Sequence, residues 1–315
     1  MSFSRQQMEQ GHKVRKSESQ IMRILSGVHE GKNSQLITLD TGKHSQAYSY
    51  VHDDLRYVLR LSTNDTGFKK DEYAHKYFQK GGVRIPRIVA LGKLDISQYY
   101  CISEAIEGDS VRDQYNQNDY SSFTRQFETI EQIRSIAPPS ENFGTLSPEG
   151  DADLLSLRDH VESEYAKHNW DEYEKLEYFD RSWLEDIRSS LHNQLSYSSG
   201  VHDLVHGDFG NHNVFIRNGE VAGVIDWEKS YCGDAFYDVG RVVLYCPRRD
   251  LSAQAALDYY SKTKHTNYRE RILAGVYFTM MINYGMAARA AKKSSCSSSP
   301  ARIQEIEEVL LSKEY

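Results

Sequence analysis

Three oxygen-bearing side chains, Asp208, Asn213 and Asp226, follow one another closely in the segment 201–227. Asn213 comes five residues after Asp208, and Asp226 comes after two further apolar runs. A carboxylate can accept the proton of a hydroxyl group. An amide carbonyl with a second carboxylate is a set of hard oxygen ligands that suits Mg²⁺. Side chains of these types, in this order, could transfer a phosphoryl group to an alcohol.

The residues around them predict strands and tight turns that would position these side chains. Segments of strand length occupy Val201–Val205, which is apolar-rich but broken by His202 and Asp203, and the apolar runs Val214–Ile216 and Val221–Ile225. The pair Asn218-Gly219 favours a hairpin turn between the second and third segments. Asp226 follows the third strand directly, so this strand would deliver its side chain into a site. Gly207, next to Asp208, permits tight backbone geometry that larger residues resist.

The spacing His206-x-Asp208-x-x-x-x-Asn213 matches the catalytic loop of protein kinases. In that loop the Asp accepts the hydroxyl proton, the Asn holds a metal ion, and a later Asp, here Asp226, is the second metal ligand. His206 would hold Asp208 in place by packing and hydrogen bonding. Taken singly, an Asp or Asn in a loop is more often a turn former or a helix cap. The ordered set favours catalysis over that alternative.

The segments that contain these residues, HGDFGNHN and VIDW, resemble the catalytic and metal-binding motifs of the aminoglycoside phosphotransferase family. Four further segments are similar to family members that phosphorylate hygromycin B: GFKKDEYAHKYF, RIPRIVALGKL, YYCISEAIEGDSVRD and GDAFYDVG. The similarity runs in pieces from about Leu36 to about Tyr245. It implies an α+β, two-lobed, protein-kinase-like fold. A small antiparallel β-sheet lobe over residues 1–104 would bind nucleotide, and a mainly helical lobe over 105–315 would carry the catalytic and acceptor sites.

The resemblance also implies a reaction. ATP would be the co-substrate and Mg²⁺ the cofactor, and the γ-phosphoryl group would move to a hydroxyl of a small cationic aminoglycoside antibiotic, hygromycin B or a similar compound, which would confer resistance. Two alternatives stay open. A kinase of the same fold could act on another small-molecule alcohol, such as choline, a sugar or an amino alcohol. A pseudokinase could bind nucleotide without transferring phosphate.

Nucleotide-binding residues are expected in the first lobe. The segments 35–40 and 47–51 predict a hairpin, and its turn over 41–46 contains Gly42. In a kinase-like lobe this turn covers the nucleotide phosphates, although an ordinary hairpin is an equal interpretation. Further along, the main chain of Ser103-Glu104-Ala105 is expected to pair with adenine.

Arg60 lies on a third predicted strand, Arg56–Leu61, where protein kinases have a phosphate-binding Lys. The resembled family includes members with Arg at this strand, which implies that Arg60 grips phosphate oxygens. A surface Arg on an edge strand is the alternative. Asp71 and Glu72 both lie in the first turn of a helix predicted over Lys69–Lys80, and either could position Arg60 or complement the helix N-terminus.

The second lobe is predicted to be mostly helical. Amphipathic patterns indicate helices over 123–136, 154–170, 181–195, 251–262, 271–291 and 302–311, and the Ser-rich run 294–300 indicates a flexible connector. Glu228, Asp234 and Asp238 follow the metal motif and are candidates for binding the acceptor. For Asp234 and Asp238, a structural role in tying this segment to the catalytic loop is an equal alternative.

Bulk properties restrict the class of partner. The chain has 315 residues and a formal net charge of −7, which does not favour binding to nucleic acid. No apolar stretch approaches the roughly 18 residues that cross a bilayer, and no N-terminal apolar run resembles a signal peptide. The four cysteines have no metal-ligand spacing, so we expect free thiols. We therefore expect a cytoplasmic protein without nucleic-acid or membrane partners, as a monomer or weak dimer.

Overall fold

The computed structural model describes residues 16–31, 33–39, 46–96 and 98–312. Gly42, with the turn predicted around it, lies outside the described residues. The chain forms two compact units. The first contains the described residues up to Asp65 together with Arg87–Ala105, and the second contains Thr66–Pro86 and the chain from Ile106 onward. The units are not continuous in sequence, because Thr66–Pro86 packs with the second one. The predicted lobes, 1–104 and 105–315, stay a prediction.

The first unit is an antiparallel sheet with one helix. Its elements are α1 (Glu18–Val28), β1 (Asn33–Thr38), β2 (Gln46–His52), β3 (Leu55–Ser62), β4 (Ile88–Lys93) and β5 (Tyr99–Glu104). The strand order is β1-β2-β3-β5-β4, so β3 is central. Helix α1 begins with a capping box, in which Ser17 and Gln20 each accept a hydrogen bond from the other's main-chain N–H. Ile21 and Leu25 of α1 are buried in one apolar cluster with Leu59 of β3.

The second unit is mainly helical and includes two three-stranded antiparallel sheets, with the orders β10-β9-β6 and β7-β11-β8. Its elements are α2 (Thr66–Phe78), β6 (Asp109–Ser110), α3 (Val111–Asn116), α4 (Phe123–Arg134), β7 (Gly144–Thr145), α5 (Leu157–Ala166), α6 (Trp170–Tyr173), α7 (Arg181–Gln194), β8 (Asp203–Val205), β9 (Val214–Arg217), β10 (Glu220–Val224), β11 (Tyr231–Gly233), α8 (Phe236–Tyr245), α9 (Arg249–Tyr260), α10 (Tyr268–Arg289), α11 (Lys293–Ser297) and α12 (Ser299–Leu310).

The predicted hairpin around Asn218-Gly219 is confirmed. Strands β9 and β10 pair with each other, and both turn residues have positive φ, 54° at Asn218 and 78° at Gly219. A two-residue turn with both φ values positive matches the twist of the strands that it joins. Strand β8 pairs with β11, with Val205 opposite Tyr231. The loop that follows β8, which contains Asp208, therefore begins beside Tyr231, five residues after Asp226.

Two glycines bring α8 and α10 close together. A Cβ on Gly240 would lie 2.4 Å from the main-chain nitrogen of Val276, and a Cβ on Gly275 would lie 2.6 Å from the Cα of Tyr237. Only glycine permits so short an approach between two helix backbones, because any side chain would collide with the other helix. This contact fixes the position of α8, which carries two residues of the site described below.

Three predicted segments differ from the structure. The helix predicted over Lys69–Lys80 is α2 and begins at Thr66, so Asp71 and Glu72 lie in its second turn and do not complement its N-terminus. The helix predicted over 154–170 is divided into α5 and α6, since the buried Trp170 starts a new turn and its Nε1 donates to the carbonyl of Tyr165 at 2.9 Å. The segment 294–300 is helical rather than a flexible connector. Cys296 of α11 is buried, and Pro300 lies in the first turn of α12, where a missing N–H costs little.

The four cysteines are buried free thiols, as predicted. Among the described residues, no helix combines the length and the apolar character that crossing a membrane requires.

Candidate active site

Asp208 lies in the loop between β8 and β9, and both of its carboxylate oxygens contact cations. Arg241 of α8 donates to Oδ1 from Nε at 3.2 Å and from Nη2 at 2.7 Å. Lys229 donates to Oδ2 from Nζ at 2.8 Å. Burial alone would raise the pKa of Asp208, but the charges of Arg241 and Lys229 outweigh it and hold the pKa well below its usual range. Asp208 is therefore ionised at neutral pH.

His206 holds the main chain of the loop. Its Nδ1 accepts a hydrogen bond from the main-chain N–H of Asp208 at 3.1 Å, so its proton is on Nε2, which donates to the carbonyl of Ile225 at 3.1 Å. Burial lowers the pKa of His206 to about 4. The imidazole is thus neutral at pH 7 in the one tautomer that serves both contacts, and it joins the Asp208 loop to the residue before Asp226.

Asn213 makes a second connection between the same two segments. Its side-chain Nδ2 donates to the main-chain carbonyl of Asp208 at 2.9 Å. Its main-chain carbonyl accepts from the main-chain N–H of Ile225 at 2.9 Å. Since the amide nitrogen is engaged with Asp208, the side-chain Oδ1 is the atom that Asn213 can offer to a cation. The structure thus brings Asp208 and Asn213 together and places the backbone before Asp226 against them.

Asp226 has an unusual backbone conformation, with φ 64° and ψ 69°. A non-glycine residue in the left-handed region is strained, and such strain persists only where the surroundings impose it. Here the preceding residue is bonded to Asn213 and His206, as described above. The following residue, Trp227, is fully buried, and its ring lies edge-on to that of His206 with centroids 4.6 Å apart. Both neighbours of Asp226 are therefore fixed.

The first turns of α2 hold the chain after Asp226. The carboxylate of Asp71 accepts from the main-chain N–H of Trp227 at 2.7 Å, and the ammonium of Lys70 donates to the carbonyl of Glu228. A Cβ on Gly67 would lie 3.0 Å from the Glu228 carboxylate. The helix residues are spaced i, i+3 and i+4, which places them on one face.

Lys70 is buried, and burial lowers its pKa to about 8, although the charges of Glu228 and Asp71 oppose this effect. Glu72, the second sequence candidate for positioning Arg60, is exposed. Asp71 is thus bonded to the segment that follows the predicted metal ligand, and its pairing with Arg60 stays a prediction. Glu228 is exposed and stays a candidate for acceptor binding.

Asp234 and Asp238 are buried and bonded within the protein. Arg271 donates to both oxygens of Asp234, from Nε at 2.8 Å and from Nη2 at 2.7 Å, and Ser198 donates to Oδ2 at 2.6 Å. Of the two roles left open by the sequence, this geometry favours the structural one for Asp234.

Asp238 lies on α8, one turn before Arg241, and receives the main-chain N–H groups of His206 at 2.8 Å and Gly207 at 3.1 Å. Burial raises the pKa of Asp238 to about 7 against the effect of Arg241 and these donors. The carboxylate ties α8 to the loop that contains Asp208, so the structural role is again favoured over acceptor contact.

In the first unit, Arg60 lies on the central strand β3 and is half-buried, which excludes the edge-strand alternative. Its Nη2 lies 3.6 Å from Sγ of Cys101 on β5. Ser103 is buried at the end of β5. The main-chain N–H of Glu104 donates to the main-chain carbonyl of Arg87, and that of Ala105 donates to the main-chain carbonyl of Arg56, both at 3.0 Å. Two of the main-chain donors expected to pair with adenine are therefore already engaged in the sheet.

Sequence reasoning missed Arg241, Lys229 and Lys70. Lys229 lies three residues after Asp226, and Arg241 lies three residues after Asp238 on a helix, but neither position belongs to a motif that we recognised. Lys70 is separated from its partner Glu228 by 158 residues in the chain, a distance over which local patterns carry no information.

Residues 36–272, most of the chain, match the profile of the phosphotransferase enzyme family APH, and the chain belongs to this family. Among curated proteins, hygromycin-B 4-O-kinase of Escherichia coli is 27% identical over 218 residues. The aligned part is 68% of this chain and 63% of that relative, so the chain spans less than two thirds of the relative's length.

Solved structures show the fold. A thermostable mutant of aminoglycoside phosphotransferase APH(4)-Ia, in a ternary complex with AMP-PNP and hygromycin B, matches with a TM-score of 0.74 and 22% identity over 90% of this chain and 96% of that chain. APH(2″)-IIIa in complex with GDP and kanamycin matches with a TM-score of 0.64 and 14% identity over 92% of this chain and 99% of that chain. The predicted fold is confirmed: it is α+β, two-lobed and protein-kinase-like.

Proposed function

We propose that the protein transfers the γ-phosphoryl group of ATP, with Mg²⁺, to a hydroxyl group of an aminoglycoside, with hygromycin B as the first candidate. The observation that carries this proposal is the bonded unit of Asp208, Asn213 and the backbone before Asp226. A hydrogen-bond acceptor for a hydroxyl and two proposed oxygen ligands for a cation lie on segments joined by one side-chain and one main-chain hydrogen bond, from Asn213 Nδ2 to the carbonyl of Asp208 and from the N–H of Ile225 to the carbonyl of Asn213. Proteins catalyse phosphoryl transfer mainly by positioning the reacting groups and by stabilising charge.

Asp208 orients the acceptor hydroxyl and receives its proton. Because the adjacent guanidinium of Arg241 holds its pKa low, the carboxylate is a weak base that accepts a hydrogen bond early and takes the proton only as the new P–O bond forms. This order suits a loose transition state, in which bond formation to the attacking oxygen lags behind departure of the leaving group. His206 and Asp238 keep the loop in place.

Oδ1 of Asn213 and the carboxylate of Asp226 would hold Mg²⁺, which keeps several water ligands and so needs few from the protein. Both fit the ion chemically, since one is an amide oxygen turned away from its engaged nitrogen and the other is a carboxylate on a fixed backbone. Bound Mg²⁺ would neutralise charge on the β- and γ-phosphates. Among the described residues, no group of three or more His, Cys, Asp or Glu side chains could hold a metal ion.

The nucleotide contacts are proposed for the first lobe. The permanent charge of Arg60, on the central strand, suits the phosphates. The turn around Gly42 would cover the phosphates. Adenine would pair with main-chain groups of the Ser103–Ala105 linker other than the two engaged N–H groups.

The acceptor assignment rests on the hygromycin-B 4-O-kinase relative and on charge. A net charge of −7 favours a cationic acceptor over an anionic one. Glu228, exposed beside the proposed metal ligand, would contact an acceptor ammonium group. We propose a cytoplasmic enzyme that acts as a monomer or weak dimer.

The deciding experiment incubates the protein with ATP, Mg²⁺ and hygromycin B, with other aminoglycosides and choline in parallel, and analyses the products by mass spectrometry. We expect hygromycin B to gain one phosphoryl group, and Asp208→Asn to lower kcat by about 100-fold or more. Transfer only to choline or another alcohol would retain the mechanism and reject the acceptor. No transfer to any acceptor, with ATP still bound, would make the protein a pseudokinase.

A further inference from the structure

The two oxygens of Asp208 differ in what holds them. Oδ1 receives two N–H groups from Arg241, and both side chains of this pair are buried. Oδ2 receives one ammonium group from Lys229, whose side chain is 54% exposed. A buried pair leaves an uncompensated charge when it is broken, whereas an exposed pair contributes little and exchanges readily with water. Another group can therefore replace Lys229 at Oδ2, but nothing can easily replace Arg241 at Oδ1.

The position of Arg241 is fixed by its surroundings. It follows Gly240, which lies against the backbone of α10, so α8 cannot shift along its axis without a collision. The guanidinium Cζ lies 5.2 Å from the ring centroid of Tyr245, one turn later on the same helix, which supports its plane. One turn earlier, Asp238 binds the main chain of His206 and Gly207. One face of α8 thus holds both the backbone and the side chain of the catalytic loop.

We propose that Arg241 is a positioning residue of this enzyme, which clamps Asp208 through Oδ1 and so makes Oδ2 the oxygen that meets the acceptor hydroxyl, with Lys229 as the group that the hydroxyl displaces. This inference rests on the proposed function and adds a residue to it. In the reaction the oxygen of the acceptor hydroxyl bonds to the γ-phosphorus of ATP, and the bond from this phosphorus to the leaving ADP oxygen breaks. The proton of the hydroxyl passes to Oδ2 of Asp208. Arg241 keeps its proton throughout.

The clamp predicts a specific kinetic pattern. Without Arg241, the carboxylate can rotate away from the hydroxyl, so kcat falls while the acceptor still binds. We expect Arg241→Gln to lower kcat by about 30-fold or more with acceptor KM within about twofold. Arg241→Lys keeps the charge but cannot present two N–H groups in a fixed plane, so kcat should fall about tenfold. Lys229→Met removes the exposed partner of Oδ2, which the acceptor hydroxyl replaces in the reaction, so kcat should fall by a smaller factor than in Arg241→Gln.

Arg271 provides the matched control, because it is also a buried arginine paired with a buried aspartate, Asp234, but does not contact Asp208. Arg271→Gln should lower the melting temperature as much as Arg241→Gln while kcat stays within about twofold of wild type. If Arg241→Gln does not fold, Arg241→Lys, which retains the buried charge, carries the test.

The outcomes separate the inference from the proposed function. No transfer by the wild-type protein rejects the proposed function, and the role of Arg241 with it. If the wild-type protein is active, two results overturn the inference alone. One is a wild-type kcat in Arg241→Lys, and the other is a decrease in kcat in Arg241→Gln that is no larger than the decrease in Arg271→Gln. A loss in Lys229→Met equal to that in Arg241→Gln also overturns it, because the two oxygens would then be equivalent.

Discussion

The carboxylate of Asp71 accepts a hydrogen bond from the main-chain N–H of Trp227 at 2.7 Å, so a residue of α2 holds the chain immediately after Asp226. The two residues are 156 positions apart, and both are buried. The sequence left Asp71 and Glu72 as equal candidates on the same helix. The structure gives Asp71 a bond to the segment of the proposed metal ligand, and it leaves Glu72 exposed.

We expect Asp71→Ala to lower the free energy of unfolding by about 1–3 kcal/mol, because it leaves the buried N–H of Trp227 without an acceptor. The strained backbone of Asp226 would lose support, so more Mg²⁺ should be needed for half-maximal activity. Urea unfolding and a Mg²⁺ titration of activity measure the two effects. Glu72→Ala is the control on the neighbouring exposed residue and should change stability by at most about 0.5 kcal/mol. Equal behaviour of the two variants would exclude this role for Asp71.

Gly207 is required by both its conformation and its surroundings. Its φ is 77°, and a Cβ would lie 2.1 Å from the carbonyl oxygen of Lys229. Gly219 has nearly the same φ, 78°, but no atom within 4 Å of the position of a Cβ. We expect Gly219→Ala to cost about 1 kcal/mol of stability and to keep wild-type kcat. Gly207→Ala should cost at least about 3 kcal/mol and displace the Asp208 loop, with a large loss of kcat. Similar stability in both variants would show that the loop can relax around the methyl group.

Local sequence patterns predicted those parts of the site that lie close together in the chain. The turn at Asn218-Gly219 is set by neighbouring residues, so turn chemistry was enough to predict it. The spacing of Asp208 and Asn213 singled out the loop between them, but not the contacts of Asp238 and Ile225 that hold this loop. The contacts of Lys70 and Asp71 join α2 to a segment more than 150 residues later. These contacts arise when the two segments pack together, and a helical pattern of apolar residues does not indicate them.

Asp234 is expected to act on stability rather than on acceptor binding. Asp234→Ala would leave the buried guanidinium of Arg271 unpaired, and we expect it to lower the free energy of unfolding by about 3–5 kcal/mol. Acceptor KM should stay within about twofold. Glu228→Gln is the contrasting variant, since Glu228 is exposed beside Asp226: stability should be unchanged and KM should rise by up to about fivefold. Chemical denaturation with steady-state kinetics distinguishes them, and a raised KM in a fully folded Asp234→Ala would restore its acceptor role.

His160 is expected to make the fold sensitive to acid. It is buried in α5, with its ring centroid 4.5 Å from that of Tyr231 and 5.5 Å from that of Phe278. Burial lowers its pKa from 6.5 to about 4, while Glu164 raises it and Lys167 lowers it further. Because the folded-state pKa is the lower one, the unfolded chain binds a proton first as the pH falls. The stabilisation by neutral His160 is therefore present above about pH 6.5 and is lost progressively towards pH 4.

The linkage relation gives a loss of roughly 2 kcal/mol from this one residue between pH 7 and pH 5. His160→Phe keeps an aromatic ring between the same neighbours and removes the titrating group. We therefore expect the variant to lose roughly 2 kcal/mol less stability than the wild-type protein over this interval, as measured by urea unfolding at both pH values. His206, whose pKa is also lowered to about 4, is present in both proteins, so the difference isolates His160. Equal losses in the two proteins would show that His160 gains a proton in the fold as readily as in the unfolded chain.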